Sequence, residues 1–143
     1  MNRLSIVCLG VRDMPTSVRF YRDGLGFEPN KPGDNPDSME FKNVGSTLSL
    51  FPLDLMVLDI NKDDPPKVGD GFGGITLEHI VRTREEVDEI AKKAIEYGGK
   101  MLKEPQYLSW GGYHTYFTDP DGYLWEVTHN PDFELDENDM VIF

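Results

Sequence analysis

Residues 4–11, LSIVCLGV, run apolar with almost no polar interruption, the pattern of a strand. The next stretch, RDMPTSVRFYRDGLGF, changes period. Val18, Tyr21 and Leu25 recur at helical spacing, Asp13 stands where an N-cap belongs, Pro15 suits a first helical turn, and Gly24 and Gly26 end the helix. NKPGDNPD is turn chemistry, and SMEFKNVGSTLSLFP reads as two short strands joined around Asn43 to Gly45. Beyond Leu53 the pattern loosens. LDLMVLDINKDD has room for a short helix, and PPKVGDGFGG reads as a flexible connection.

A second round then begins with the strand ITLEHIV. Thr83 and Glu86 make a capping box, and Val87, Ile90, Ala91, Ala94 and Ile95 line one face of an amphipathic helix. Asp88 with Lys92 and Glu89 with Lys93 set opposite charges four apart on its wet side, and Gly98 is its stop. KMLKEPQYL, GYHTYFT and YLWEVTH follow as strands, the last two joined by DPDG. The order strand, helix, three strands therefore occurs twice. It predicts an α+β chain of two βαβββ modules in a single domain over 1–143. Module one covers about 1–55, a connection about 56–74, module two about 75–131 and a C-terminal tail about 132–143.

Composition narrows the function. A chain of 143 residues is long enough to bury a real core as one domain. The net charge of −12 repels nucleic acid and anionic lipid, and no stretch gathers Lys and Arg beside aromatics to override it. No apolar run approaches the roughly 18 residues that cross a bilayer, and LSIVCLGV runs straight into Arg12 and Asp13 without the layout of a signal peptide. The lone Cys8 has no disulfide partner and cannot build a thiolate metal cluster, so a cytoplasmic location is expected. Gly69, Gly71 and Gly74 fit G-x-G-x-x-G by count. They precede a strand instead of following one, so no dinucleotide site is read here.

VRDMPTSVRFYRDGLGF resembles the D-x-x-x-S-x-x-F-Y-x-x-x-L-G-F signature of the vicinal oxygen chelate superfamily, which groups glyoxalase I, extradiol dioxygenases, and fosfomycin- and bleomycin-resistance proteins. Asp13, Ser17, Phe20, Tyr21, Leu25, Gly26 and Phe27 all match. DPDGYLWEV resembles the closing D-P-D-G-x-x-x-E, and WGGYHTYFTDPDGYLWEVTHNP is similar to uncharacterised glyoxalase-like members. The resemblance implies two modules, each curling a mixed sheet around a cleft, with helices outside. It also implies a homodimer, which the outer sheet edges favour. In the family's metal enzymes, ligands come from the first and last strands of each module. The matching positions here are Ile6, Ser49, Thr76 and Glu126. Only Glu126 is a strong donor where a divalent ion needs three or four, so no metal and no cofactor are expected.

Strand alternation decides which side chains accompany Glu126. Leu124, Glu126 and Thr128 share one face of the last strand, and Trp125, Val127 and His129 the other. If DPDG is a four-residue hairpin turn, Thr115 lies opposite Glu126 and His114 opposite Val127. His79 points away with Leu77 and Val81, so all three histidines are expected to miss the Glu126 face. The simplest role for His79 is a hydrogen-bonded core residue. The same parity selects Ile6, Cys8, Ser49, Phe51, Thr76, Glu78, Ile80, Tyr113, Thr115, Phe117, Leu124 and Thr128 for the cleft, with Trp110 of the SWGGY loop over its mouth.

That set makes an apolar, aromatic pocket with a few polar groups, the usual build of a small-molecule site. Glu126 and Glu78 in its walls favour a cationic or hydrogen-bond-donating ligand. A poorly solvated Glu126 also suits a general base, and a plain strand Glu bonded to Thr115 or Thr128 is the simplest alternative. The expected function is metal-independent binding of a small organic molecule, similar to the bleomycin-resistance branch. The alternatives are a glyoxalase-like lyase or isomerase, or a dioxygenase-type enzyme, using Glu126 as base or metal ligand, and an interaction module whose cleft is incidental.

Overall fold

The computed structural model describes residues 2–69 and 71–142. Met1, Asp70 and Phe143, which fall in the expected first module, connection and tail, lie outside the described residues. The chain divides into two compact units, Met1–Gly74 and Ile75–Phe143.

In the first unit, β1 (Ile6–Val11) is followed by α1 (Met14–Arg19), which runs on into a π-helical turn, Phe20–Gly24. Asp13 caps α1 by accepting from the Thr16 N–H at 2.9 Å, and Ser17 returns its hydroxyl to the Asp13 carbonyl at 3.1 Å. Phe20 and Tyr21 lie wholly in the core, their rings edge to face at 5.1 Å, and Tyr21 meets Phe27 in the same way at 5.8 Å. The residues of the first signature thus build a helix and its packing.

Two further strands, β2 (Met39–Glu40) and β3 (Thr47–Pro52), complete a sheet of order β1-β3-β2, with β1 and β3 parallel. A helix, α2 (Leu53–Ile60), follows in the stretch with room for one, and it buries none of its residues; the first unit thus has two strands after α1 where three were expected. It crosses close over β1 at Gly10, where a Cβ would come within 2.6 Å of Leu53 Cδ1. A larger residue there would have to push the ends of the Leu53 and Met56 side chains aside, a demand of proximity and not of backbone angle.

The second unit has the full βαβββ order. It comprises β4 (Leu77–Val81), α3 (Arg84–Glu96), β5 (Lys100–Tyr107), β6 (Tyr113–Thr118) and β7 (Leu124–His129). The capping box forms, since Thr83 Oγ1 accepts from the Glu86 N–H and the Glu86 carboxylate accepts from the Thr83 N–H. Val87, Ala91 and Ala94 face the sheet, whose order is β4-β7-β6-β5. After residue 131, β8 (Glu134–Leu135) and β9 (Val141–Ile142) pair antiparallel, and Arg82 holds their turn through Asp139 and the Asp136 carbonyl.

The sheets are mixed with helices outside them, but the expected curling around a cleft is overturned. The first sheet ends on β1 and β2 and the second on β4 and β5, so each is open with two unjoined edges. The reason is strand number. Closing a sheet needs more strands than three or four, with a matching stagger, and twist alone does not bring these edges together.

Candidate functional site

The β6–β7 register differs by one residue from the expected one. Tyr116, not Thr115, lies opposite Glu126, and His114 lies opposite Thr128. The cause is the turn. The Asp119 N–H bonds the Tyr123 carbonyl at 3.0 Å, which leaves the three-residue loop Pro120-Asp121-Gly122, with Gly122 at φ 99°. The Asp119 carboxylate holds this loop by accepting from the N–H groups of Asp121 and Tyr123 at 3.0 and 2.8 Å. A one-residue slip moves every β6 side chain to the other face.

His114 and Tyr116 therefore join Glu126, against the expectation that every histidine misses it. Tyr113, Thr115 and Phe117 move to the face of Trp125 and Val127, where the Tyr113 hydroxyl donates to Asp88 of α3 at 2.9 Å. Phe117 and Thr115 are buried, and Thr115 Oγ1 donates to the Lys103 carbonyl at 2.7 Å. Glu126 bonds neither Thr115 nor Thr128.

On the other side of β7, the parallel register sets Glu78 beside Glu126 and Ile80 beside Thr128, as alternation predicts, while His79 falls beside Val127. His79 is exposed, which corrects its reading as a core residue, because β4 is an edge strand. Thr76 precedes β4 and is exposed. The Trp110 side chain is half exposed and its ring lies over Gly112, where an added Cβ would approach it to 2.1 Å. In the first unit, Ile6, Cys8, Ser49 and Phe51 share one face of the β1–β3 pair, as expected, with Ser49 buried and Ile6 and Cys8 exposed. That unit also holds an open cavity of about 420 Å³ lined by Val11, Leu53, Val57 and Val68, and no residue expected to bind ligand lines it.

The chemistry in the second unit gathers around His114, which is 4% exposed. Its Nδ1 lies 2.8 Å from Glu126 Oε1 and its Nε2 lies 2.8 Å from Lys103 Nζ. Lys103 reaches this face through a β-bulge. Between Met101 and Lys103, β5 advances two residues while β6 advances one, so Lys103 pairs with Tyr116. Without the bulge, Lys103 would share the face of Thr115. The Lys103 ammonium also stands over the Tyr116 ring, 5.7 Å from its centre.

The Tyr116 hydroxyl is bonded to Glu126. Burial first, and this bond second, push its phenol up to about 12. Partial burial first, and the neighbouring Glu126 charge second, raise the Glu78 carboxyl, against a smaller lowering by His114. Thr128 is 4% exposed, and its Oγ1 is buried without a hydrogen-bond partner.

This arrangement does not suit a divalent ion. Both ring nitrogens of His114 are engaged, one of them with an ammonium, and the other family ligand positions hold Ile6, Ser49 and Thr76. Among the described residues no three His, Cys, Asp or Glu side chains converge as a metal site. What the site offers is one carboxylate with two fixed donors and lone pairs to spare, a second carboxylate beside it, and an unpaired hydroxyl.

Residues 3–127 match the family model described as Glyoxalase/Bleomycin resistance protein/Dioxygenase superfamily. The chain belongs to that superfamily. A glyoxalase-related enzyme from Fulvimarina pelagi is 27% identical with a TM-score of 0.87, covering 100% of this chain and 99% of its own. A hypothetical protein from S. aureus is 25% identical with a TM-score of 0.74, covering 91% of this chain and 94% of its own. A lactoylglutathione lyase from Agrobacterium tumefaciens shares the fold at 22% identity and a TM-score of 0.66, covering 94% of this chain and 99% of its own. No protein of curated function matches the chain. Among the described residues no helix is long and apolar enough to cross a membrane.

The sequence alone does not single out Lys103 or Tyr116, and strand parity set His114 on the face away from Glu126. The one signal for them is Gly122, which is suited to the left-handed closing position of a three-residue P-D-G loop and so to the shifted register.

Proposed function

We propose that this superfamily member binds a small organic molecule without a metal, and that the ligand presents a cationic or hydrogen-bond-donating group to the Glu126 face. The observation that carries this reading is the pairing of Glu78 and Glu126 across β4 and β7, with the unpartnered Thr128 hydroxyl on the same face. An ammonium or amide placed there meets two acceptors at once. The net charge of −12 adds long-range attraction for a cation and disfavours nucleic acid.

A second reading is a glyoxalase-like lyase or isomerase in which Glu126 removes a proton. It draws on the two donors that aim Glu126, since a general base must be held in place before its basicity counts. We also read the protein as cytoplasmic, from its single cysteine, and as a homodimer, from its open sheet edges and exposed apolar side chains such as Leu4 and Ile6.

Thermal-shift titration of the wild type and Glu126→Gln with benzylamine and tyramine tests the first reading, with Zn²⁺, Ni²⁺, Mn²⁺ and Fe²⁺ run alongside. A saturable rise in Tm with the amines that Glu126→Gln abolishes is expected. Retained affinity with lost turnover would move the assignment to the enzyme, and a saturable metal shift lost in Glu126→Ala would overturn the metal-independent reading.

A further inference from the structure

We infer that Lys103 is a positioning residue that locks His114 as the neutral Nδ1–H tautomer and thereby holds Glu126 as an oriented, ionised acceptor. An ammonium has three hydrogens to give and no lone pair to accept with. At 2.8 Å from Nε2, Lys103 can only donate, so Nε2 carries the lone pair. The single ring proton then sits on Nδ1, 2.8 Å from Glu126 Oε1, and is donated to it. Neither alternative fits. An imidazolium would set two N–H groups, one of them on an ammonium, against each other at Nε2. The Nε2–H tautomer would do the same and would also face a bare Nδ1 toward a carboxylate.

The groups around His114 agree with this assignment. Tyr116 stands edge to face with the ring at 5.2 Å and spends its hydroxyl on Glu126, not on the imidazole. Thr128, directly opposite on β7, leaves its hydroxyl unbonded. Burial of the ring keeps water from competing for either nitrogen.

The backbone supports the arrangement as well. The bulge between Met101 and Lys103 aims Lys103 at this face, and re-aiming a side chain is what bulges next to functional sites do. The site so formed keeps a cation, a neutral ring and an anion in a line. A ligand reaching Glu126 meets a charged acceptor whose proton partner is already fixed. This assignment rests on hydrogen-bond roles alone and stands whether or not the amine reading above holds.

Nitrogen-15 spectra of the histidine side chains at neutral pH test it on the intact chain, with His114→Gln giving the assignment. Wild type is expected to show His114 with a protonated Nδ1, a bare Nε2 and a slowly exchanging ring proton. Lys103→Met, which keeps the stem and removes the donor, is expected to protonate Nε2, while Lys103→Arg restores the wild-type pattern because guanidinium also donates only. A wild-type ring protonated at Nε2 would overturn the proposal, and so would a Lys103→Met spectrum identical to wild type. If Lys103→Met fails to fold, a wild-type or Lys103→Arg ring protonated at Nε2 still overturns the proposal.

Discussion

Replacing Thr128 by valine should make this protein more stable. The Thr128 side chain is 4% exposed and its hydroxyl oxygen has no partner. A buried polar group left unpaired costs about 1–3 kcal/mol. Valine puts a methyl group in nearly the same volume, opens no cavity, and suits a strand as well as threonine does. The expected gain is therefore about 1–2 kcal/mol, the desolvation cost less small repacking losses. Unfolding entropy near 2.1 cal/mol/K per residue gives about 0.3 kcal/mol/K for a chain of this length, so Tm should rise roughly 3–7 °C. Scanning calorimetry reads this directly, with urea unfolding showing a higher midpoint at unchanged slope. A lower Tm would refute the reasoning, because it would mean the hydroxyl is already satisfied and contributes to stability.

Tyr116 provides a test by pH. Its phenol is pushed up to about 12, so stability tied to it is whole below the unfolded value of about 10 and drains as pH climbs from there toward 12. Absorbance titration at 295 nm should lose a late step in Tyr116→Phe, and an unchanged curve would count against the Glu126 bond. Glu78 is raised by burial and by Glu126, so its ionisation on the folded chain is disfavoured. Glu78→Gln should raise Tm at pH 7, with the gain vanishing as pH falls below the ordinary carboxylate range. Gly122 sits at φ 99° with nothing within 4 Å of an added Cβ, so its substitution costs backbone strain alone. Gly122→Ala should lose about 1–2 kcal/mol in urea unfolding and Gly122→Asn less, since Asn tolerates the left-handed region. Thr83→Ala removes the α3 cap and should cost about 1 kcal/mol. An unchanged urea midpoint would show the capping box to be idle.

Helices α1 and α3, their caps and stops, and the strand–helix order of the second module are legible in the bare chain. Each depends on residues within a few positions of one another, such as Asp13 with Thr16 or Thr83 with Glu86. The alternation along β7 is equally local, so Glu126 could be placed on a face with Thr128, and Glu78 on the corresponding face of β4, without a structure. The partners of Glu126 are another matter. They depend on whether the turn after Thr118 holds three residues or four, and on an extra residue in β5 that no periodicity announces. Each is a displacement of one residue, and with a side-chain period of two each exchanges the faces completely. Local pattern determined most of the elements this chain forms, though not the β8–β9 pair. Only the pairing of those elements in space, where hydrogen-bond register and a bulge are settled by the whole sheet at once, brought Lys103, His114, Tyr116 and Glu126 together.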